Sequence, residues 1–355
     1  MSKKVLVVGT GTIGEPLVGL LSDFRKELGI DEVLFYKRTP LVDEISKVNS
    51  LISRGAKLVA TDANIATQFD KLGNDVSMLF PQSLDESCVV IDCTPAGNLN
   101  KAEKYQYAAY APNTFFIAQG SEKGFGVPYA YRINDDVLAD PELQFVQVVS
   151  CNTHNMACLI TSLETLSPVR DSDFVCLRRA NDVSQDEGFV PSTTVGKHAS
   201  GVYGTHHAQD VKDLMLTLGK KYDIFSSALK VNTQYMHTLR FNIVLQGNVT
   251  YDMVVEAFEK NPMIAITHKE SANKIFSFGR DHGYYGRIFN QSVVPVDSIS
   301  VCPKFGGITR VTGFSFTPQD GNSLLSSIAA TARGVHGLDH KEHLSFVDDL
   351  LFPRI

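Results

Sequence analysis

Two patterns of apolar positions divide the chain near residue 150. Before it, short continuous apolar runs alternate with segments whose apolar residues recur every three or four positions. The runs Val5 to Val8, Glu32 to Tyr36, Lys57 to Ala60, Val89 to Asp92 and Phe115 to Ala118 predict strands buried on both faces, with Leu143 to Ser150 the last of the set. A helix is predicted from Glu15 onward, where Leu17, Leu20, Leu21, Phe24 and Leu28 share one face, and another over Ile65 to Leu72. Strands alternating with helices predict a parallel, doubly wound sheet.

Beyond that point the style changes. Asn155 to Leu166 reads as a helix with Met156, Leu159, Ile160 and Leu163 on one face, which puts Cys151 at its N-terminus. Asp173 to Arg179, Leu239 to Gln246 and Val293 to Val301 read as longer strands, with Tyr251 to Glu259 a helix between two of them. These predict an α+β domain with a largely antiparallel sheet. Asn322 to Arg333 is apolar and rich in small residues, suited to a helix that returns to the first domain. The fold class is therefore α/β. The expected division is a Rossmann domain over 1–150, joined by 317–355, and a second domain over 151–316. A chain of 355 residues exceeds the length at which one core usually divides.

Composition narrows the field. The net charge is -6, from 33 basic and 39 acidic residues without a basic run, which argues against a nucleic-acid partner. The six cysteines form no Cys-x-x-Cys pair and lack the dense spacing of secreted scaffolds, which fits a reducing cytoplasm. The apolar run after Met1-Ser2-Lys3-Lys4 breaks at Gly9, too early for a signal peptide, and no stretch is long enough to span a membrane.

Gly9-Thr10-Gly11-Thr12-Ile13-Gly14 lies between the first strand and the first helix. There the missing side chains of Gly9, Gly11 and Gly14 let backbone amides approach a pyrophosphate, with Thr12 and Ile13 giving backbone contacts. An NAD site usually has an acidic residue after the second strand, where this chain has Lys37 and Arg38. Two cations favour a 2′-phosphate and hence NADP; an ordinary solvated turn, or use of both cofactors, stays open.

Cys151, at a helix start, gains a lowered thiol pKa from unpaired amides, and the neighbouring Asn152 amide is placed to support an oxyanion. A cysteine attacking an aldehyde forms a thiohemiacetal, whose collapse by hydride loss needs a base, for which His237 is the candidate. Of Arg178 and Arg179, which point to opposite faces of a strand end, Arg179 is the one expected to enter the cleft. His206 and His207 suit a phosphate group; without a helical His-x-x-x-His or a cysteine partner they do not suggest a metal site.

The glycine turn, Ser150-Cys151-Asn152-Thr153, Leu177-Arg178-Arg179-Ala180, His206-His207 with Asp210-Val211, and Met236-His237-Thr238-Leu239 together resemble archaeal-type (type II) glyceraldehyde-3-phosphate dehydrogenase. Ile117-Ala118-Gln119-Gly120 and Gly279-Arg280-Asp281 extend the likeness from the first strand to about Val301. The resemblance implies Cys151 as nucleophile and His237 as base, with Ser150, Asn152, His206 and His207 around the substrate. It implies Thr12, Ile13, Gly120 and Arg179 as contacts of NADP or NAD. It implies oxidation of a small phosphorylated aldehyde to a thioester, transfer of the acyl group to inorganic phosphate, and a homotetramer.

Two departures bear on the substrate and a third on the nicotinamide end of the cofactor. Tyr235 stands where the family usually has a second histidine, and the bulky His154 follows the Ser-Cys-Asn-Thr element. The family's His-Gln-Glu-Ser segment, whose glutamine approaches the nicotinamide, has no clear match over 310–316. Two other readings stay open: a different cysteine-dependent semialdehyde dehydrogenase or acyl-phosphate reductase, of the aspartate-semialdehyde dehydrogenase type, and a nucleotide-binding sensor without turnover.

Overall fold

The structure is a computed structural model that describes residues 2–95, 107–110, 114–120, 122–182 and 188–355. It resolves into two compact units, one of 1–129, 135–148 and 324–346, the other of 130–134, 149–323 and 347–355. The C-terminal stretch is thus shared between them.

In the first unit the strands are β1 (Lys4–Val8), β2 (Glu32–Tyr36), β3 (Lys57–Ala60), β4 (Val76–Leu79), β5 (Val89–Asp92), β6 (Phe115–Gln119), β7 (Val127–Tyr129) and β8 (Phe145–Val148). Among the described residues they form one sheet in the order β4-β3-β2-β1-β5-β6-β8-β7, and every pairing is parallel. The helices are α1 (Gly14–Asp23), α2 (Ile45–Ser53), α3 (Ala63–Lys71) and α4 (Phe80–Glu86). The apolar runs became strands because all of Val5 to Val8 and Val89 to Ile91 are fully buried, which alternation could not achieve. Strand order reverses between β1 and β5, and the ends of these two strands mark the crevice where such sheets bind ligands.

The second unit opens with α5 (Cys151–Glu164) and β9 (Val169–Arg178), followed by β10 (Thr194–Val195), α6 (His206–Leu216), β11 (Asp223–Lys230) and β12 (His237–Gln246). It continues through α7 (Tyr251–Lys260), β13 (Ile264–Thr267), α8 (Ala272–His282), β14 (Ser292–Pro295), β15 (Ser300–Lys304) and β16 (Ile308–Thr317). The final helix, α9 (Leu324–His336), belongs to the first unit. Among the described residues the second sheet runs β10-β11-β9-β12-β16-β14-β13, with β15 on β16. It is mixed but mostly antiparallel: β11 on β9 and β14 on β13 are the parallel pairs.

The first helix ends at Asp23, before Phe24 and Leu28, and two elements of the second unit also differ from expectation. The single strand expected over Val293 to Val301 is two strands separated by a 3-10 turn at Val296–Ser298, so its halves pair separately. The helix expected from Asn155 starts four residues earlier, at Cys151. No helix among the described residues is long and apolar enough to cross a membrane.

Candidate functional site

The glycine turn of the first unit is built as its spacing required. Gly9 has φ +94° and donates its N–H to the Tyr36 carbonyl at 3.2 Å, while a Cβ on Gly14 would stand 2.0 Å from the Gly9 carbonyl oxygen. Gly11 has open space around it, and Ile13 caps α1 without a side-chain bond. The start of α1 is therefore a cradle of backbone groups, bordered by the side chains of Cys93 and Thr94. Gly120 follows β6 at φ +81°, with nothing within 4 Å of a would-be Cβ.

A cavity of about 370 Å³ adjoins this turn, lined by Gly9, Thr10, Tyr36 to Thr39, Leu41, Glu44, Thr94 and Pro95. Lys37 and Arg38 do not act alike in it. Lys37 is buried and its ammonium is bonded to Glu44, whereas Arg38 is exposed and has no ion-pair or hydrogen-bond partner among the described residues. Glu44 was not anticipated, because its distance from the second strand hides it from a reading of strand ends. Cradle and cavity fit a dinucleotide.

In the second unit, α5 begins at Cys151 after Ser150, whose hydroxyl pairs with that of Thr153 at 2.8 Å. The first turns of α5 are fixed by polar bonds to β16 and the residues after it. Asn155 donates to Thr317 Oγ1 at 2.8 Å, Ser315 donates to Asn155 Oδ1 at 3.1 Å, and Asn322 Nδ2 donates to the Cys151 carbonyl at 2.9 Å. Buried side-chain groups bonded on both sides hold one geometry, so the cysteine backbone is locked in place.

Asn152 carries a correction. Its amide nitrogen donates to Cys176 Sγ at 3.2 Å and to His207 Nε2 at 3.4 Å, and its oxygen accepts from Thr317 at 3.2 Å. Both amide hydrogens are committed, so the side chain has none to spare for an oxyanion; the Asn152 backbone N–H supports the Cys151 sulfur instead. Because Asn152 bonds His207 Nε2, the proton of that neutral ring lies on Nδ1, which is buried with no partner among the described residues. His206, beside it at a ring separation of 4.0 Å, is exposed.

The thiol itself also departs from expectation. Burial pushes the Cys151 thiol up to about 11, against the opposing effects of Arg179, the Asn152 N–H and Arg178, while Asp320 adds to the rise. A helix N-terminus therefore does not by itself give a resting thiolate here, because desolvation outweighs it.

His237 opens β12, opposite Thr317 of β16. Its backbone N–H donates to Gln319 Oε1 at 2.9 Å, and its Nδ1 accepts the Arg179 backbone N–H at 3.0 Å. That bond leaves the proton of the neutral ring on Nε2. Burial and the two arginines hold the imidazole down to about 3, so it is neutral throughout the physiological range. In this orientation His237 is a hydrogen-bond donor; the base role expected from the sequence requires the ring to give up the Arg179 bond.

The arginine pair is divided by strand alternation, with Arg178 exposed and Arg179 buried. Arg179 donates to the Tyr235 carbonyl at 3.0 Å and forms ion pairs with Asp182 and, at 3.0 Å, with Asp320. Tyr235 adopts φ +75° at this contact, a strained state for a bulky residue. The Arg178 guanidinium has no ion-pair or hydrogen-bond partner among the described residues, yet its charge acts on Cys151, His206, His207 and His237. The uncommitted cation of the cluster is Arg178, where Arg179 was expected to enter alone.

Gln319 and Asp320, a glutamine followed by a carboxylate, lie beyond the 310–316 segment in which the sequence offers no such pair. They stand three residues further on, each bonded to His237 or Arg179. His154, buried and held down to about 4 by desolvation, bonds the Ser150 carbonyl through Nδ1. Among the described residues no group of three or more His, Cys, Asp or Glu could hold a metal ion.

No family model matches the chain. It is similar to proteins named glyceraldehyde-3-phosphate dehydrogenase. The one from Sulfolobus acidocaldarius is 27% identical over 308 residues, covering 83% of each chain. That from Methanocaldococcus jannaschii is 26% identical over 311 residues, 85% of this chain and 86% of the relative. A third, from Pyrobaculum islandicum, is 27% identical over 308 residues, 84% and 83% respectively.

Proposed function

We propose that the chain is an NAD(P)-dependent, phosphorylating glyceraldehyde-3-phosphate dehydrogenase of the archaeal kind, with Cys151 as nucleophile. The observation that carries the proposal is the polar cluster of the second unit. Cys151 lies in the field of Arg178, Arg179 and Asp320, and the same two arginines act on His237. The similarity to named dehydrogenases over more than four fifths of the chain supports the same reading. Cytoplasmic location and homotetrameric assembly belong to the proposal through the resemblance alone.

The residues divide the work as follows. Cys151 loses its proton to solvent and its sulfur bonds the aldehyde carbon, giving a thiohemiacetal alkoxide. His237, neutral and with its proton on Nε2, donates to that oxygen as it gains charge, a role that a depressed pKa favours. The nicotinamide dinucleotide supplies the hydride acceptor when bound. Inorganic phosphate then attacks the thioester carbon, the C–S bond breaks, and the thiolate leaves. Arg178, the N-terminus of α6, His206 and the unpartnered Nδ1–H of His207 provide donors for the phosphate of the substrate.

The test is reduction of NADP or NAD by the full chain with glyceraldehyde 3-phosphate, with and without inorganic phosphate, beside Cys151→Ser. The proposal expects phosphate-dependent turnover that the serine variant loses. Turnover that survives in Cys151→Ser, that ignores phosphate, or that is faster with a non-phosphorylated semialdehyde overturns it.

A further inference from the structure

The cavity beside the glycine turn contains an ion-pair network that the reaction does not use. Glu44 ends a 3-10 turn, Val42–Glu44, and precedes α2. Its carboxylate binds the Lys37 ammonium through one oxygen and Lys47 Nζ, at 2.6 Å, through the other. Lys47 also reaches the Thr10 carbonyl at 3.5 Å and lies 3.9 Å from Glu15. Lys37 is 7% exposed and Glu44 is 24% exposed, so the pair sits in the wall of the cavity and not out in solvent. Two lysines and two glutamates cancel, and Arg38 is the cation left over.

We propose that Glu44 sets the choice between a 2′-hydroxyl and a 2′-phosphate on the adenosine ribose. By holding Lys37 it withdraws the ammonium that lines the cavity from the ligand, so that a 2′-phosphate meets Arg38 and a nearby carboxylate. Each oxygen of Glu44 has a second lone pair, and these accept hydrogen bonds from ribose hydroxyls. The Lys37-Arg38 pair, which taken alone favours NADP, is thereby balanced into a site that takes both cofactors. This inference rests on the nucleotide reading of the cavity.

Calorimetric titration of the full chain with NAD+ and with NADP+ tests it. The unmodified protein is expected to bind the two within about tenfold of each other. Glu44→Gln frees the Lys37 ammonium and shifts the ratio toward NADP+ by about ten- to a hundredfold, the worth of a hydrogen bond between charged groups. Adding Lys37→Met to that variant removes the greater part of the gain. A ratio that stays put in Glu44→Gln while both cofactors bind overturns the inference and leaves the dehydrogenase proposal intact. Binding of neither cofactor to the unmodified protein overturns the nucleotide reading itself. The readout is a ratio of affinities and needs no aldehyde turnover, so loss of the dehydrogenase proposal alone leaves it decisive.

Discussion

If burial holds the Cys151 thiol near 11, its thiolate fraction at pH 7 is about 10⁻⁴, against about 3% for a thiol of ordinary pKa near 8.5. Alkylation by iodoacetamide is then slowed about 300-fold, since the thiolate is the reacting form. The rate should climb about tenfold per pH unit without levelling below pH 10. Two substitutions move the curve in opposite directions. Asp320→Asn removes a charge that raises the thiol, so the curve shifts to lower pH; Arg178→Met removes one that lowers it, so the curve shifts up. The assay follows carboxamidomethylation by mass spectrometry with fragmentation of the peptide, which separates Cys151 from the neighbouring Cys158 and from the other four cysteines. A plateau between pH 6 and 8 would rule out a neutral resting thiol, because it would mean that a thiolate, paired with a protonated His237, already exists at rest.

Four shorter predictions follow from the same geometry. His237→Gln keeps a neutral donor and should retain more turnover than His237→Ala; equal losses in both would restore the base role. Arg178→Met should raise KM for the phosphorylated aldehyde far more than for glyceraldehyde, whereas a uniform fall in kcat would remove Arg178 from the phosphate neighbourhood. Gly14→Ala places a methyl group against the Gly9 carbonyl and should cost about 3 kcal/mol of stability, read as a lower melting temperature, along with loss of cofactor binding. His154 and His237 are held neutral in the fold to about 4 and about 3, while their unfolded forms take up protons from about pH 6.5. Stability should therefore fall as pH drops from about 6.5 toward 4, and His154→Gln should flatten that slope in thermal melts; an unchanged slope counts against the assignment.

What could be read from the sequence depended on whether burial left a pattern. The parallel strands of the first unit are buried on both faces, so Val5 to Val8 and Val89 to Ile91 stand out as apolar runs. The strand Ile308–Thr317 was not anticipated, although it is one of the longest. Gly313 breaks its alternation, and that glycine is explained only by a partner distant in sequence: the Phe241 ring on β12 covers it, so a Cβ there would meet the ring at 2.6 Å. Asp223–Lys230, with two serines at its centre, has little strand character of its own and is held by parallel pairing with β9.

The same limit applies to the site. Cys151 and His237 carry recognisable neighbours in the chain, whereas the partners that set their chemistry do not. Arg179 reaches His237 through a backbone N–H, Asn152 spends its amide on Cys176 and His207, and Glu44 disarms Lys37 from a turn seven residues away. Each is a hydrogen bond whose existence depends on the fold, so residue type alone suggested a base, an oxyanion donor and a free cation.

The most direct test is to mix the full chain with cofactor and glyceraldehyde 3-phosphate while withholding inorganic phosphate, then map the adduct to its residue by peptide fragmentation. The account predicts a burst of about one reduced cofactor per chain, with a glyceroyl 3-phosphate thioester on Cys151 that added phosphate discharges. A burst that persists in Cys151→Ser, or an acyl group found on any other residue, would contradict it.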